Sequence, residues 1–105
     1  MTSDREPILS LRFSGVLIEW RGPSPFHFVS LPEDVIGEIR YAARIASYGW
    51  GVVPVTAEND EITFTTSLFP RDGGYLLPVK DKVRKPLGLV PGDAVVAEVA
   101  IYDRA

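Results

Sequence analysis

The feature of this sequence that most constrains its fold is the alternation of apolar and polar residues over short segments. Segment 9–13 alternates Leu and Phe with polar residues, as expected for a strand with one buried face. After Gly15 the apolar positions shift by one, to Val16, Ile18 and Trp20. A β-bulge at Gly15 would produce this shift. We therefore predict a bulged strand whose two halves both face the core.

The other strand-like segments are short, and only one segment has helical periodicity. Apolar residues between Val35 and Ala46 recur at helical spacing, and Gly49 would end this helix. Ser30 and Glu33 have the spacing of a capping box at its start. A mainly β protein with one α-helix and a short helical turn is thus predicted, as a small closed or partly open barrel. The other predicted strands are 26–31, 52–56, 61–68, 75–79 and 94–102, with a loop at 70–74 and the helical turn at 81–87.

Two stretches of the chain share one order of features, namely strand, proline, helix, glycine, strand. The first runs from Phe28 through Pro32 to Gly49 and a strand, and the second from Tyr75 through Pro78 to a glycine and a strand. Two such units could pair about a pseudo-twofold axis and close one barrel from a single chain. The alternative is that the similarity is coincidental. We expect a monomer on this basis, with dimerisation through an exposed edge strand as the alternative.

Length and composition predict one domain. The chain has 105 residues, 46% of them hydrophobic and 24% charged, which is typical of a globular protein. We expect a single domain over residues 1–105 with a flexible N-terminus at 1–6. The absence of cysteine excludes disulfides, a thiol nucleophile and cysteine-ligated zinc. With neither an apolar stretch of ~18 residues nor a signal-peptide pattern, we expect a cytoplasmic protein that does not enter a membrane.

The charges are unevenly distributed along the chain. The net charge is −3, but segment 71–85 holds five cations and two acids, which leaves +3 there and −6 elsewhere. Local positive potential can attract an anionic partner despite a negative total. The alternatives are that these cations are simply solvated, that Arg84 holds a turn by pairing with Asp81 or Asp93, and that the two tryptophans are core or barrel-rim residues. The candidate binding residues are Arg71, Tyr75, Lys80, Lys82, Arg84 and Lys85, with Trp20 and Trp50 as aromatic neighbours.

No arrangement of residues predicts catalysis. His27 is the single histidine, and it alternates with aromatic residues, which places it towards solvent or a polar neighbour. No nucleophile or paired carboxylate is evident beside it. The acidic groups at 33–34 and 58–61 fit a helix start and a turn better than a calcium loop. We therefore expect no enzyme activity, no bound metal and no cofactor.

The C-terminal half contains a distinctive order of strand, helix and turn. A strand ends at Pro78, a short basic helix containing Arg84 follows, and Leu87-Gly88 precedes a turn at 91–93 into the last strand. This order resembles the half-barrel of the AbrB/MazE/MraZ class of transcription regulators and antitoxins. The resemblance implies a double-split β-barrel.

Motifs along nearly the whole chain carry a second resemblance. They are Phe13-x-Gly15 with Trp20 and Gly22-Pro23; Phe26-x-Phe28-Val29 with Pro32; Gly49-Trp50-Gly51 with Val53-Pro54-Val55; Thr66-Ser67-Leu68-Phe69-Pro70; Gly74-Tyr75-Leu76-Leu77-Pro78-Val79-Lys80; Val83-Arg84-Lys85; and Gly92-Asp93. Together they resemble the domain-of-unknown-function family DUF1905, although segment 57–60 departs from the glycine-containing turn expected there. The resemblance implies both half-barrels in one chain, and it implies no catalytic residues because the family has no assigned activity.

Two functional hypotheses follow. The first is a non-catalytic interaction module that binds a small anionic ligand or a protein partner through a basic loop at 67–85. The second is a nucleic-acid-binding regulator, by analogy with the AbrB-like barrels. The isoelectric point near 5.0 counts against the second, because nucleic-acid-binding domains are usually basic.

Overall fold

Six strands and two helices make up the part of the chain that the computed structural model describes, which is residues 6–23, 25–46, 51–59 and 62–103. Neighbouring strands are antiparallel and form a closed barrel in the order β1-β2-β5-β4-β3-β6. The predicted mainly β barrel with one long helix is therefore confirmed. The elements are β1 (Leu9–Arg21), β2 (Pro25–Ser30), α1 (Glu33–Ala46), β3 (Val53–Glu58), β4 (Thr63–Arg71), β5 (Gly74–Pro78), α2 (Asp81–Arg84) and β6 (Ala94–Ile101).

The barrel consists of two topologically equivalent units. Exchanging β1, β2 and β3 with β4, β5 and β6 leaves the strand order unchanged. Equivalent strands of the two units pair with each other at two places, where Val29 pairs with Leu77 and where Ala57 pairs with Val99. All four side chains are buried. The predicted pseudo-twofold barrel from a single chain thus has its core at the contact between the two units.

Each of the two long strands changes its neighbour partway along. β1 pairs with β6 over residues 9–16 and with β2 over residues 17–21. β4 pairs with β3 over residues 63–68 and with β5 over residues 69–71. The barrel wall is therefore split beside each long strand, which is the double-split arrangement.

The predicted bulge in β1 is wrong. The strand pairs residue by residue with both neighbours, and Leu17 lies inside the barrel while Val16, Ile18 and Trp20 are 52%, 41% and 51% exposed on the outer face. The shift in apolar positions therefore marks an apolar outer surface, and the strand keeps one face inward throughout.

Gly15 has a different role from the one predicted. A Cβ at this position would lie 2.5 Å from Val29 Cγ1 and 3.0 Å from the Ser30 carbonyl oxygen. Both distances are below van der Waals contact, so only glycine allows β1 to approach β2 at the point where it leaves β6.

Helix α1 buries the predicted face, but it begins later than the capping box predicts. Its first residue is Glu33, and Ser30 is the last residue of β2, so Ser30 does not cap the helix. Instead, the Leu31 amide donates to the Tyr75 carbonyl at 3.0 Å, and the Val35 amide donates to Pro32 at 3.2 Å. The predicted end of the helix at Gly49 lies outside the described residues, as do residues 1–5 of the predicted N-terminal tail. The buried helix residues are Val35, Ile36, Ile39, Ala42, Ala43 and Ala46, as predicted.

The predicted loop at 70–74 is a tight hairpin. β4 extends to Arg71 and β5 begins at Gly74, which leaves Asp72 and Gly73 as a two-residue turn. Their φ angles are 51° and 80°, the left-handed conformation that such hairpins require. The segment 67–85 is therefore made of two strands and a short helix, and the prediction of a basic loop there is wrong.

Candidate functional site

The hairpin divides the predicted basic segment. Arg71 is the last residue of β4 and stands opposite the hairpin end of β5, whereas the lysines follow the other end of β5, roughly 13 Å away along that strand. Arg71 Nε is 3.5 Å from Asp72 Oδ2. The cations of segment 71–85 thus do not form one loop, and Arg71 belongs to a different surface from Lys80 and Lys82.

Arg84 holds the turn after α2. Its guanidinium donates to Asp81 Oδ1 at 3.2 Å from Nη2, and Nη1 donates to the Leu89 carbonyl at 3.1 Å. Its side chain is only 17% exposed. Lys85 Nζ is 3.8 Å from the same carboxylate, while Asp93 Oδ2 accepts from the Val90 amide. Of the two alternatives, Arg84 pairs with Asp81, and Asp93 stabilises the next turn.

Tyr75 and Trp20, the two aromatic candidates within the described residues, lie on opposite faces of the barrel wall. Tyr75 is 7% exposed and lies on the inner face of β5, so its ring belongs to the core. Trp20 lies on the outer face opposite Phe26 and is half exposed, so of the two alternatives, core or barrel rim, the core is wrong. Trp50 lies outside the described residues.

Lys80 and Lys82 border a cleft of about 400 Å³ between β4 and α2. Within the described residues, no carboxylate lies within 4.0 Å of either ammonium group. The adjacent Asp81 is held by Arg84 and Lys85. Among the described residues, the cleft therefore has positive charge that no carboxylate within ion-pair distance compensates. Its lining is Ile62, Thr63, Phe64, Thr65, Thr66, Pro78, Lys80, Lys82 and Val83.

The backbone of β4 forms one wall of this cleft. Asn59 and Ile62 exchange two backbone hydrogen bonds, at 2.9 and 3.4 Å, so the bonded positions of β4 towards β3 continue at Phe64 and Thr66. The N–H and C=O groups of Thr63 and Thr65 consequently point to the opposite edge. On that edge β5 pairs with β4 only from residue 69 onward, and within the described chain no backbone partner reaches Thr63 or Thr65.

Sequence reasoning missed this free edge. The threonine-rich pattern of segment 63–66 predicts a half-buried strand, and it contains no information about which neighbour each edge has. One local signal exists, because Pro78 would stand opposite Ser67 if the β4–β5 ladder continued. Proline has no N–H to donate, so the ladder is expected to end there.

A second cleft, of about 710 Å³, lies between α1 and the β4–β5 hairpin. Its floor is apolar, formed by Ile18, Phe28 and Leu76. Arg40 Nη2 donates to the Gly73 carbonyl at 2.7 Å, which ties the helix to the hairpin. The outer face around this cleft is apolar as well, with Trp20, Phe26 and Phe69 each more than one-third exposed.

The remaining candidate for catalysis or metal binding is His27, the single histidine of the chain. His27 is 9% exposed with Nε2 at 3.8 Å from Glu19 Oε2, so it has the predicted polar neighbour but does not face solvent. In the described part of the chain no three His, Cys, Asp or Glu side chains are grouped to hold a metal ion. Neither described helix has the length and apolar character needed to cross a bilayer.

Comparison with known proteins identifies the family but no activity. The model of the family "Domain of unknown function (DUF1905)" matches residues 13–99, which include all of the barrel except the ends of β1 and β6. No curated protein matches the chain significantly. Because the match covers most of the chain and the structure is the double-split barrel expected from the motifs, this protein belongs to the DUF1905 family.

Proposed function

We propose that this protein is a non-catalytic binding module that holds an anionic ligand in the cleft between β4 and α2. One observation carries the proposal: Lys80 and Lys82 both line the cleft, while the carboxylate between them in sequence, Asp81, is already bound to Arg84 and Lys85. Two ammonium groups with no carboxylate of a described residue within 4.0 Å favour a ligand that carries carboxylate or phosphate groups.

The lining of the cleft also supports a ligand with an uncharged part. The side chains of Phe64 and Val83 are apolar and partly or fully buried, and threonine hydroxyls stand beside them. Its volume of about 400 Å³ is within the range of ligand sites, which also combine an apolar lining with a few polar groups. An anion attached to a short apolar or peptide-like body fits this combination best.

Nucleic-acid binding has less support. A duplex or single strand is held by several cations along a continuous track. Here Arg71 is separated from Lys80 and Lys82 by β5, and Arg84 is tied to Asp81 and Leu89. The chain also carries a net charge of −3. We therefore prefer the anionic ligand over the nucleic acid, and the AbrB-like resemblance stays a prediction.

The proposal is tested by amide chemical shifts on titration with citrate and, separately, with inorganic pyrophosphate. Shifts are expected at Thr65, Lys82 and Val83. The double variant Lys80→Gln/Lys82→Gln should weaken binding at least tenfold, because it removes both uncompensated charges. Arg71→Gln, which removes a cation from the other surface, is the matched control and should bind like the parent protein.

Two results would contradict the proposal. One is unchanged affinity for both anions in the double variant. The other is a set of shifts confined to the hairpin around Arg71. A random DNA duplex is titrated in parallel. Tight duplex binding that weakens steeply with salt would favour the nucleic-acid hypothesis instead.

A further inference from the structure

We infer that the ligand of this cleft is an extended acidic peptide segment of a partner protein, which adds a strand to the free edge of β4. The inference rests on the proposed function, because it uses the same cleft and the same two lysines. It goes further by assigning a role to the backbone of Thr63 and Thr65.

The backbone of β4 specifies the kind of ligand. Thr63 and Thr65 each direct an N–H donor and a C=O acceptor into the cleft, two residues apart. Two residues of a strand span roughly 6.8 Å. An extended polypeptide has donors and acceptors that alternate at this same spacing, which is the basis of strand addition to a sheet edge. A compact anion could satisfy only one of these positions.

The space for an added strand exists because β5 departs from β4. After Leu76 the ladder with β4 ends, and β5 continues only along β2, through Leu77 and Pro78. The chain then enters α2. This helix has four residues and a length of roughly 6 Å, whereas α1, in the equivalent place of the other unit, has fourteen residues and roughly 21 Å. Helix α1 packs against β1, but α2 is too short to lie along β4.

The charge at the cleft selects an acidic partner over a second copy of this protein. If two β4 edges paired, Lys80 and Lys82 of both copies would be brought to one interface, and like charges at close range repel. Lysines beside an edge strand are a known means of preventing such self-association. An acidic segment instead supplies the counter-charges that Asp81 does not provide.

The side-chain pattern of the partner follows from strand geometry. Successive side chains of an added strand point to opposite faces. Acidic side chains on one face would reach Lys80 and Lys82, and apolar side chains on the other would contact Phe64 and Val83. The expected segment therefore alternates Glu or Asp with aliphatic residues.

The probe for the experiment is a fluorescein-labelled peptide of eight residues that alternates Glu and Val, with blocked ends. We expect saturable binding to the full chain by fluorescence anisotropy, weakened at least tenfold by Lys80→Gln/Lys82→Gln. The corresponding peptide of alternating Lys and Val should not bind. Arg71→Gln should bind the acidic peptide like the parent protein.

The role of the backbone is tested with two methylated peptides. In a strand the N–H groups of alternate residues point to opposite edges, so the Glu amides face one way and the Val amides the other. One peptide is N-methylated at its Glu residues and the other at its Val residues. Strand addition predicts that one of them binds at least tenfold more weakly than the other. Equal binding of the two methylated peptides to the unmodified protein would overturn the inference.

A protein variant tests the contribution of the β4 backbone to peptide binding. Thr65→Pro removes the N–H that points into the cleft and leaves the bonds of Phe64 and Thr66 to β3 in place, as proline on an edge strand allows. Its peptide affinity should fall at least tenfold. Its affinity for citrate should change less than threefold, and this retained citrate binding would also demonstrate a folded cleft.

The outcomes separate this inference from the proposed function. Citrate binding that depends on Lys80 and Lys82, together with equal binding of the two methylated peptides, would overturn strand addition and leave the anion site standing. If the lysine variant changes neither citrate nor peptide binding, both the anion site and strand addition are wrong.

Discussion

Gly15 shows how a single residue permits the split in the barrel. β1 changes its neighbour from β6 to β2 between residues 16 and 17, and at this place its backbone passes close to Val29. Val29 is fully buried, so it cannot move aside. A side chain at position 15 would therefore push two strands apart.

We predict that Gly15→Ala lowers the free energy of unfolding by about 1–3 kcal/mol, the usual range for overpacking a core. The physical reason is the 2.5 Å separation between the new Cβ and Val29 Cγ1. Chemical denaturation measures the change. Gly37→Ala is the control, because this helix position has no atom within 4 Å of the new Cβ, and it should stabilise the protein by about 1 kcal/mol. Unchanged stability of Gly15→Ala would contradict the close approach.

Arg84 and Lys85 allow a matched comparison of two cations on one carboxylate. Arg84→Ala should cost about 1–3 kcal/mol of stability, because its part-buried guanidinium bonds both Asp81 and the Leu89 carbonyl. Lys85 is 68% exposed, and its ion pair with Asp81 is long, so Lys85→Ala should cost less than about 0.5 kcal/mol. Thermal unfolding of both variants measures the difference. Equal losses would show that Arg84 does not anchor the turn.

At the scale of elements, the β4–β5 hairpin positions the cations. Its two-residue turn places Asp72 and Gly73 at positive φ, and Arg40 of α1 bonds the Gly73 carbonyl. The tight turn positions Arg71 in the cleft beside α1, whereas Lys80 and Lys82 line the other cleft.

We predict that Gly73→Ala destabilises the protein by about 1–2 kcal/mol, because a side chain is unfavourable in the left-handed conformation. No atom lies within 4 Å of the added Cβ, so the loss measures the backbone conformation alone. Asp72→Asn is the control and should have little effect, since asparagine tolerates this conformation well. Urea denaturation checks both. If Gly73→Ala were as stable as the parent, this turn geometry would be incorrect.

The sequence predicted elements well where a local period determines them. Helix α1 has a buried stripe at helical spacing, and β6 is a short, mostly apolar segment that follows the turn at 91–93, so the predictions agree with both elements within two residues at their described ends. The prediction failed in β1, where apolar residues lie on both faces. Ile18 and Trp20 stand opposite Phe28 and Phe26 on the outside, and these two rings pack 5.6 Å apart. An alternation pattern does not distinguish this outer cluster from the core.

The candidate site is predictable only in part, because a sequence does not show which side chains and strand edges already have partners. Local charge singled out Lys80 and Lys82, and it singled out Arg84 equally, because a sequence does not show that Asp81 is already occupied. The Asp72-Gly73 pair was a recognisable hairpin signal within the loop predicted at 70–74. The free edge of β4 depends on where β5 leaves it, which is a property of the pairing between two strands and is not visible in either segment alone.

Across the whole molecule, the two equivalent units differ in the length of their helices, and this difference bears on the proposed function. Both have the order strand, strand, helix, strand, and both contribute to one closed barrel. The helix of the first unit is fourteen residues long and that of the second is four. This difference leaves the cleft beside β4 open and bordered by Lys80 and Lys82. The proposed binding site is thus a consequence of the different helix lengths in the two units.

The open edge of β4 is measured most directly by residue-resolved amide hydrogen exchange. We predict that the amide of Thr65 exchanges rapidly in the free protein, while those of Phe64 and Thr66, bonded to β3, are strongly protected. Adding the peptide of alternating Glu and Val should slow exchange at Thr65 at least tenfold. Strong protection of the Thr65 amide in the free protein would show that the edge of β4 is not free. Rapid exchange of this amide with the peptide bound would show that the peptide does not add a strand to that edge.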